Sequence, residues 1–160
     1  QVALKRNTPS HLLTRPASVL FGRATRLHPN ELLDEVGAMA VNVAITAQRR
    51  GRVGVAGPLN LVFDDLASNT PEQLNFTVAF PVDGTPVPQA GYVTRQVPEQ
   101  QVLSLDFDRT QHSVESAWRA LYSAAYTQGL KPEQSGYVVI DNRGVRRVSY
   151  QLVVTDQYTE

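Results

Sequence analysis

The chain has 160 residues, 42% of them hydrophobic, enough for one domain with a substantial core. Fifteen basic residues balance fifteen acidic ones, so the composition indicates neither a nucleic-acid surface nor a polyanionic partner. Cysteine is absent, which excludes disulfides, thiolate metal sites and cysteine nucleophiles and leaves the redox compartment open.

Residues 1–11 are polar and basic and read as a loose lead-in. Residues 17–25, ASVLFGRAT, read as a first strand in which Gly22 marks a bulge. His28, Pro29, Asn30 and Glu31 then open a helix, because proline suits the first helical position and Glu31 complements the positive end of the helix dipole. Leu32, Leu33, Val36, Ala40, Val43, Ala44 and Ala47 recur at helical spacing and predict its buried face. Arg49, Arg50 and Gly51 end it, with the glycine taking a left-handed cap. The apolar run over 36–47 is alanine-rich and broken by Asn42, far short of the roughly 20 residues that cross a bilayer.

Two strands follow, 59–63 and 74–82, joined by a turn-rich segment with Asn69 and Pro71. GTPVPQAG at 84–91 is the seam between halves. Residues 92–97 lead into the second half, and 101–109 alternate as a strand with one wet face. Ser113 caps a second helix whose face carries Val114, Ala117, Trp118, Leu121, Tyr122 and Ala125, and Gly129 closes it. SGYVVID at 135–141 and VRRVSYQLVVTD at 145–156 form a last hairpin around Asn142, Arg143 and Gly144.

The two halves superpose in sequence. Thr14 and Thr94 differ by 94 − 14 = 80, the helix-closing Gly51 and Gly129 by 129 − 51 = 78, and Gly57 and Gly136 by 136 − 57 = 79. A near-constant offset across strand, helix end and hairpin predicts an α+β fold made by tandem duplication of a β-α-β-β module. Its pseudo-repeats run over about 12–83 and 92–157, as two antiparallel sheet halves with two main helices and a cleft between modules.

GPLNLVF at 57–63, FTVAFPVDG at 76–84, VPEQQVLSLDF at 97–107, SAWRALYSAAYTQGL at 116–130, SGYVVID and SYQLVVTD together resemble the GyrI-like effector-binding family of bacterial regulators, over roughly residues 12–157. The resemblance implies a cleft between two pseudo-twofold modules that binds small, often aromatic or cationic molecules, the multidrug type of ligand sensing. It implies a single effector-binding domain and, if the chain is part of a transcription regulator, a DNA-binding part outside these residues. Members that bind cations place carboxylates in the cleft. The corresponding places here are Asn75 and Thr77, Ser135 and Ser149, none of them acidic. Since a buried cation needs a partner, a neutral aromatic or apolar ligand is expected.

The expected ligand contacts are Trp118, Tyr122, Tyr137, Phe80, Tyr150 and Tyr92, with Asn75, Ser135 and Ser149 as neutral hydrogen-bonding groups. Phe63, Phe80 and Phe107 read first as core and second as pocket lining. The glycines at 51, 54 and 57 follow a helix rather than precede one, so they are cap and linker and not a phosphate loop. His11, His28 and His112 have no ligand spacing, and no nucleophile elbow or triad is present, so neither metal nor cofactor is expected. Asp106 and Asp108 read as a solvated strand face, and Asp64 and Asp65 as a turn. The expected role is ligand binding without direct contact to nucleic acid or membrane, in the cytoplasm. The chain begins at Gln1, which leaves a tag, a removed leader or a preceding domain open. The alternatives are a GyrI-like small-molecule hydrolase and a protein-interaction or inhibitor module.

Overall fold

A computed structural model describes residues 10–156. Most of the expected lead-in, residues 1–9, lies outside the described residues, as do 157–160 and the side chain of Leu33. The elements in chain order are β1 (His11–Arg15), β2 (Ser18–Leu27), α1 (Leu32–Arg49), β3 (Leu59–Phe63), β4 (Leu74–Val82), β5 (Val93–Val97), β6 (Gln100–Asp106), α2 (Val114–Thr127), β7 (Leu130–Asp141) and β8 (Arg147–Asp156). All eight strands join one antiparallel sheet in the order β1-β6-β8-β7-β3-β4-β2-β5. Exchanging β1 with β5, β2 with β6, β3 with β7 and β4 with β8 reverses this order onto itself. The α+β duplication is therefore real, and the halves fuse through the β3–β7 pair, with Leu61 opposite Val138. Each unit also gains a short leading strand, β1 or β5, that crosses to flank the other half.

The links demand a curled sheet. β1 and β2 stand six places apart in the order, about 29 Å across a flat sheet at roughly 4.8 Å per strand. Only Pro16 and Ala17 join them, a reach of about 11 Å at 3.8 Å per Cα step. β5 and β6 are likewise six places apart and joined by Pro98 and Glu99. The sheet therefore rolls its edges together on the face away from the helices. Leu20, Val62, Ala79, Val102, Tyr137 and Val153 are buried inside that roll. Arg15 of β1 reaches across it, donating to Asn60 (3.1 Å) and Gln151 (2.9 Å) with its guanidinium 3.6 Å above the Tyr137 ring.

Gly22 does not mark a bulge, since β2 pairs with β4 without a break from Val19–Val82 to Leu27–Leu74. A Cβ there would lie 2.2 Å from the Val78 carbonyl oxygen, so the glycine permits the tight approach of β4 inside the roll.

The outer face carries the main core, including Phe21, Val43, Val78, Leu103, Leu121 and Leu152. A 3-10 turn over Pro29–Glu31 precedes α1: His28 Nδ1 accepts from the Asn30 N–H and Glu31 accepts from the His28 N–H, both at 3.0 Å. At the other end Gly51 does not take the left-handed cap; Arg52 does, at φ 61°. Glycine is still required at 51, because a Cβ would stand 2.8 Å from the Ala47 carbonyl oxygen. In α2, Ser113 and Ser116 cap one another's N–H groups at 3.1 and 2.8 Å, and Gly129 closes the helix at φ 70°. No described helix is long and apolar enough to cross a membrane.

Candidate functional site

α1 packs on β2 and β4, while α2 packs on β6, β7 and β8. Between the helices the outer face of the sheet centre stays open as a cleft of about 1710 Å³. Strand alternation sets its floor: Leu59, Leu61 and Phe63 from β3, and Val138 and Ile140 from β7, point the same way. Phe80, Val148 and Tyr150 complete the floor. One wall, from α1, sets the small Gly37, Ala40 and Ala44 among Leu32, Val36 and Val41, and the other is aromatic, with Trp118 and Tyr122 of α2.

The aromatic wall is built from the sheet upward. Ala117, Leu121 and Ala125 face the sheet and are fully buried, which turns Trp118 and Tyr122 sideways into the cleft. Trp118 stands edge-on to Phe63 and Tyr150, with ring centroids at 5.9 and 5.0 Å. Tyr150 in turn stacks on Phe107 at 5.0 Å. The Tyr122 hydroxyl donates to the Glu133 carbonyl at 3.3 Å. That carbonyl belongs to the irregularity in the β7–β8 ladder between Pro132 and Gly136, where Gln134 lines the cleft.

The floor is electrically quiet. Among the described residues its one ionisable group is the Tyr150 hydroxyl, which makes no hydrogen bond and is pushed up to about 12 by burial. Tyr122 is also raised, by burial first and by Asp65 second. The carboxylates sit at the edges and are already paired. Asp141 accepts from the Arg143 side chain and backbone, which hold it at about 2, and Glu115 pairs with Arg119 one helical turn on. No three His, Asp or Glu side chains among the described residues group as metal ligands.

Four of the residues expected from sequence line this cleft together: Phe80, Trp118, Tyr122 and Tyr150. The others stand elsewhere. Tyr137 alternates to the inside of the roll, where it donates to Gln100 (2.8 Å) and where burial raises its pKa against the opposing pull of Arg15 and Arg95. Tyr92 stacks on Phe21 at 5.3 Å and accepts from Thr46 (3.3 Å). Asn75 accepts from Arg26 (3.0 Å) in a separate depression beside Asp64 and Asp65. Ser149 donates to Asp106 (3.3 Å), and Ser135 lies outside the lining, which its neighbour Gln134 enters instead. The sequence reading missed the small α1 wall and the arginines at 109, 143 and 146. Gly37, Ala40 and Ala44, at helical spacing, were the visible signal for the wall.

No protein-family model and no curated protein matches the chain. Solved structures do. The C-terminal domain of EcmrR aligns with a TM-score of 0.72 at 9% identity, covering 93% of this chain and 98% of that one. The chain has the GyrI-like fold. EcmrR in its complex with DNA aligns at 0.74 and 9% identity, over 92% of this chain and 57% of that one. SAV2435 bound to tetraphenylphosphonium aligns at 0.56 and 10%, over 92% and 94%. A hydrolase encoded by lin2189 from Listeria innocua aligns at 0.60 and 10%, over 93% of each chain. At these identities the likeness is one of fold.

Proposed function

We propose that this chain is a ligand-sensing domain that binds a small aromatic or apolar molecule in the cleft between its halves. One observation carries the reading: an open cleft of about 1710 Å³ is walled by Trp118 and Tyr122, and its floor has no carboxylate. Drug-sized sites occupy about 300–1,000 Å³, so the space accepts a multi-ring molecule. The part of the ligand on the floor is uncharged, because nothing there compensates a desolvated cation. Tyr150 offers a neutral hydrogen-bond donor. SAV2435 binds a phosphonium cation in its structure; an uncharged body is proposed here because the floor of this cleft holds no carboxylate. The hydrolase alternative draws no support from the cleft, since the floor holds no carboxylate for acid–base chemistry. In this reading the domain serves a cytoplasmic regulator whose DNA-binding part lies outside these residues, as the partial coverage of EcmrR in its DNA complex supports.

Trp118 is the chain's single tryptophan and reports directly on the cleft. A Cβ at Gly37 meets nothing within 4 Å, so Gly37→Phe can start a plug from the lining without a clash at its first atom. Uncharged multi-ring compounds should quench Trp118 saturably, with affinity falling at least about tenfold in the plugged variant, or about 1.4 kcal/mol. Saturable quenching that ignores the plug, or a preference for cations, would refute the proposal.

A further inference from the structure

One end of the cleft carries two arginines, 109 and 146, whose side chains have no partner among the described residues. Phe107 continues the β6–β8 ladder, its N–H donating to the Val148 carbonyl at 2.7 Å. Two residues further along each antiparallel chain stand Arg109 and Arg146, and both line the cleft. Both are exposed, and among the described residues neither makes an ion pair or hydrogen bond. Arg143 stands at the same end, but it is bound to Asp141 at 2.9 Å. Glu115, the other acid of the lining, is taken by Arg119 at 3.2 Å. With fifteen bases against fifteen acids overall, this local excess does not reflect a generally basic chain. Like charges gathered at one mouth of a cleft repel, and an anion between them relieves that repulsion. Guanidinium groups suit planar or tetrahedral oxyanions, which they bind with paired N–H donors.

The aromatic trap begins directly behind these arginines. Phe107 and Tyr150 stack at 5.0 Å, with Trp118 against Tyr150 at the same separation. We infer that the ligand of this cleft is an amphipathic anion: an uncharged multi-ring body over the floor, and one oxyanion held at the mouth between Arg109 and Arg146. This rests on the cleft-binding reading above and specifies the charge and direction of what binds there.

A matched pair of dyes tests it. Anilinonaphthalenesulfonate and phenylnaphthylamine share their aromatic body, and the second lacks the sulfonate. Each is titrated into the full chain, reading dye emission and Trp118 quenching, at low ionic strength and at about 0.5 M salt, where screening acts within a few ångströms. The same titrations are run on the Arg109→Gln/Arg146→Gln double variant and on Gly37→Phe. The sulfonate should bind at least about tenfold more tightly than the amine at low salt. That ratio should collapse in the double variant and shrink at high salt, and the plug should remove both dyes. Equal affinities, or a sulfonate preference that survives either the double variant or the plug, would overturn the inference while saturable amine binding leaves the cleft reading standing. If neither dye saturates, both readings fall.

Discussion

Gly136 lies beneath Trp118, and replacing it with alanine tests how the aromatic wall is held. A Cβ at this position would stand 2.7 Å from the Gln151 carbonyl oxygen and 2.9 Å from two atoms of the Trp118 ring. The carbonyl belongs to β8, paired with β7 through Tyr137–Gln151 and Gly136–Leu152, so it cannot retreat without opening the ladder. That contact strains the ladder, and the indole must also yield, by about half an ångström or more to reach an ordinary contact, against Phe63 and Tyr150, which hold its edges. Overpacking of this kind costs about 1–3 kcal/mol. The stiffer unfolded chain of alanine offsets about 0.4–1 kcal/mol of that. The net expectation for Gly136→Ala is a loss of about 1–2 kcal/mol and a fall in Tm of about 2–8 °C. Urea denaturation followed by Trp118 emission measures both parts, because a displaced indole shifts the native spectrum before any unfolding. A variant as stable as the parent, with an unchanged native spectrum, would refute the argument that this glycine seats the tryptophan.

Two further perturbations probe the floor and the roll. Tyr150 is raised to about 12 by burial, against about 10 when unfolded. The folded state therefore keeps a proton that the unfolded chain releases. Stability that is intact below about pH 10 is lost as pH rises towards 12, by up to about 2–3 kcal/mol. Tyr150→Phe should flatten this alkaline slope in urea midpoints taken from about pH 9 to 11, leaving the smaller contributions of the raised Tyr122 and Tyr137; an unchanged slope would contradict the burial argument. Arg15→Met should cost about 2–3 kcal/mol, because Asn60, 2% exposed, and Gln151 lose a charged donor inside the roll. Equilibrium denaturation checks this, and a neutral result would mean that β1 does not need its arginine to stay docked.

Much of this fold was legible where the sequence pattern was local. β3 and β4 have the bounds that their apolar runs predict, and α2 begins at the cap that Ser113 predicts. β1 was hidden because HLLTR is short and its side chains are mostly exposed, with no alternation to mark a strand. Its place beside β6, six positions from its sequence neighbour β2, follows from the roll and not from any local signal. The site was legible in kind rather than in parity. Residue type draws attention to Tyr137, yet Val138 pairs with Tyr150 across β7 and β8, which turns 138 to the cleft and 137 to the roll. A single step along a strand exchanges the faces. The arginine mouth had no local signal, because Arg109 and Arg146 fall in two separate predicted strands, 101–109 and 145–156, far apart in sequence.

The duplication also explains why the cleft has a direction. α1 ends at Arg49 and α2 at Thr127, an offset of 127 − 49 = 78. The same offset carries Trp118 onto Ala40 (118 − 78) and Tyr122 onto Ala44 (122 − 78), all four of them in the lining. Two copies of one module thus built a symmetric groove, and the side chains then made it unequal: large rings on the second helix, room against the first. Its two mouths differ in the same way. The β3–β4 connection opens at Phe63 and the β7–β8 connection at Asp141, and because β3 and β7 run antiparallel these lie at opposite ends. Pro29, Leu66, Ala67 and Pro71 line the first mouth, while Arg109, Asp141, Arg143 and Arg146 line the second. A ligand that is apolar at one end and anionic at the other therefore has one favourable orientation, with its rings against α2 and its charge towards the β7–β8 turn.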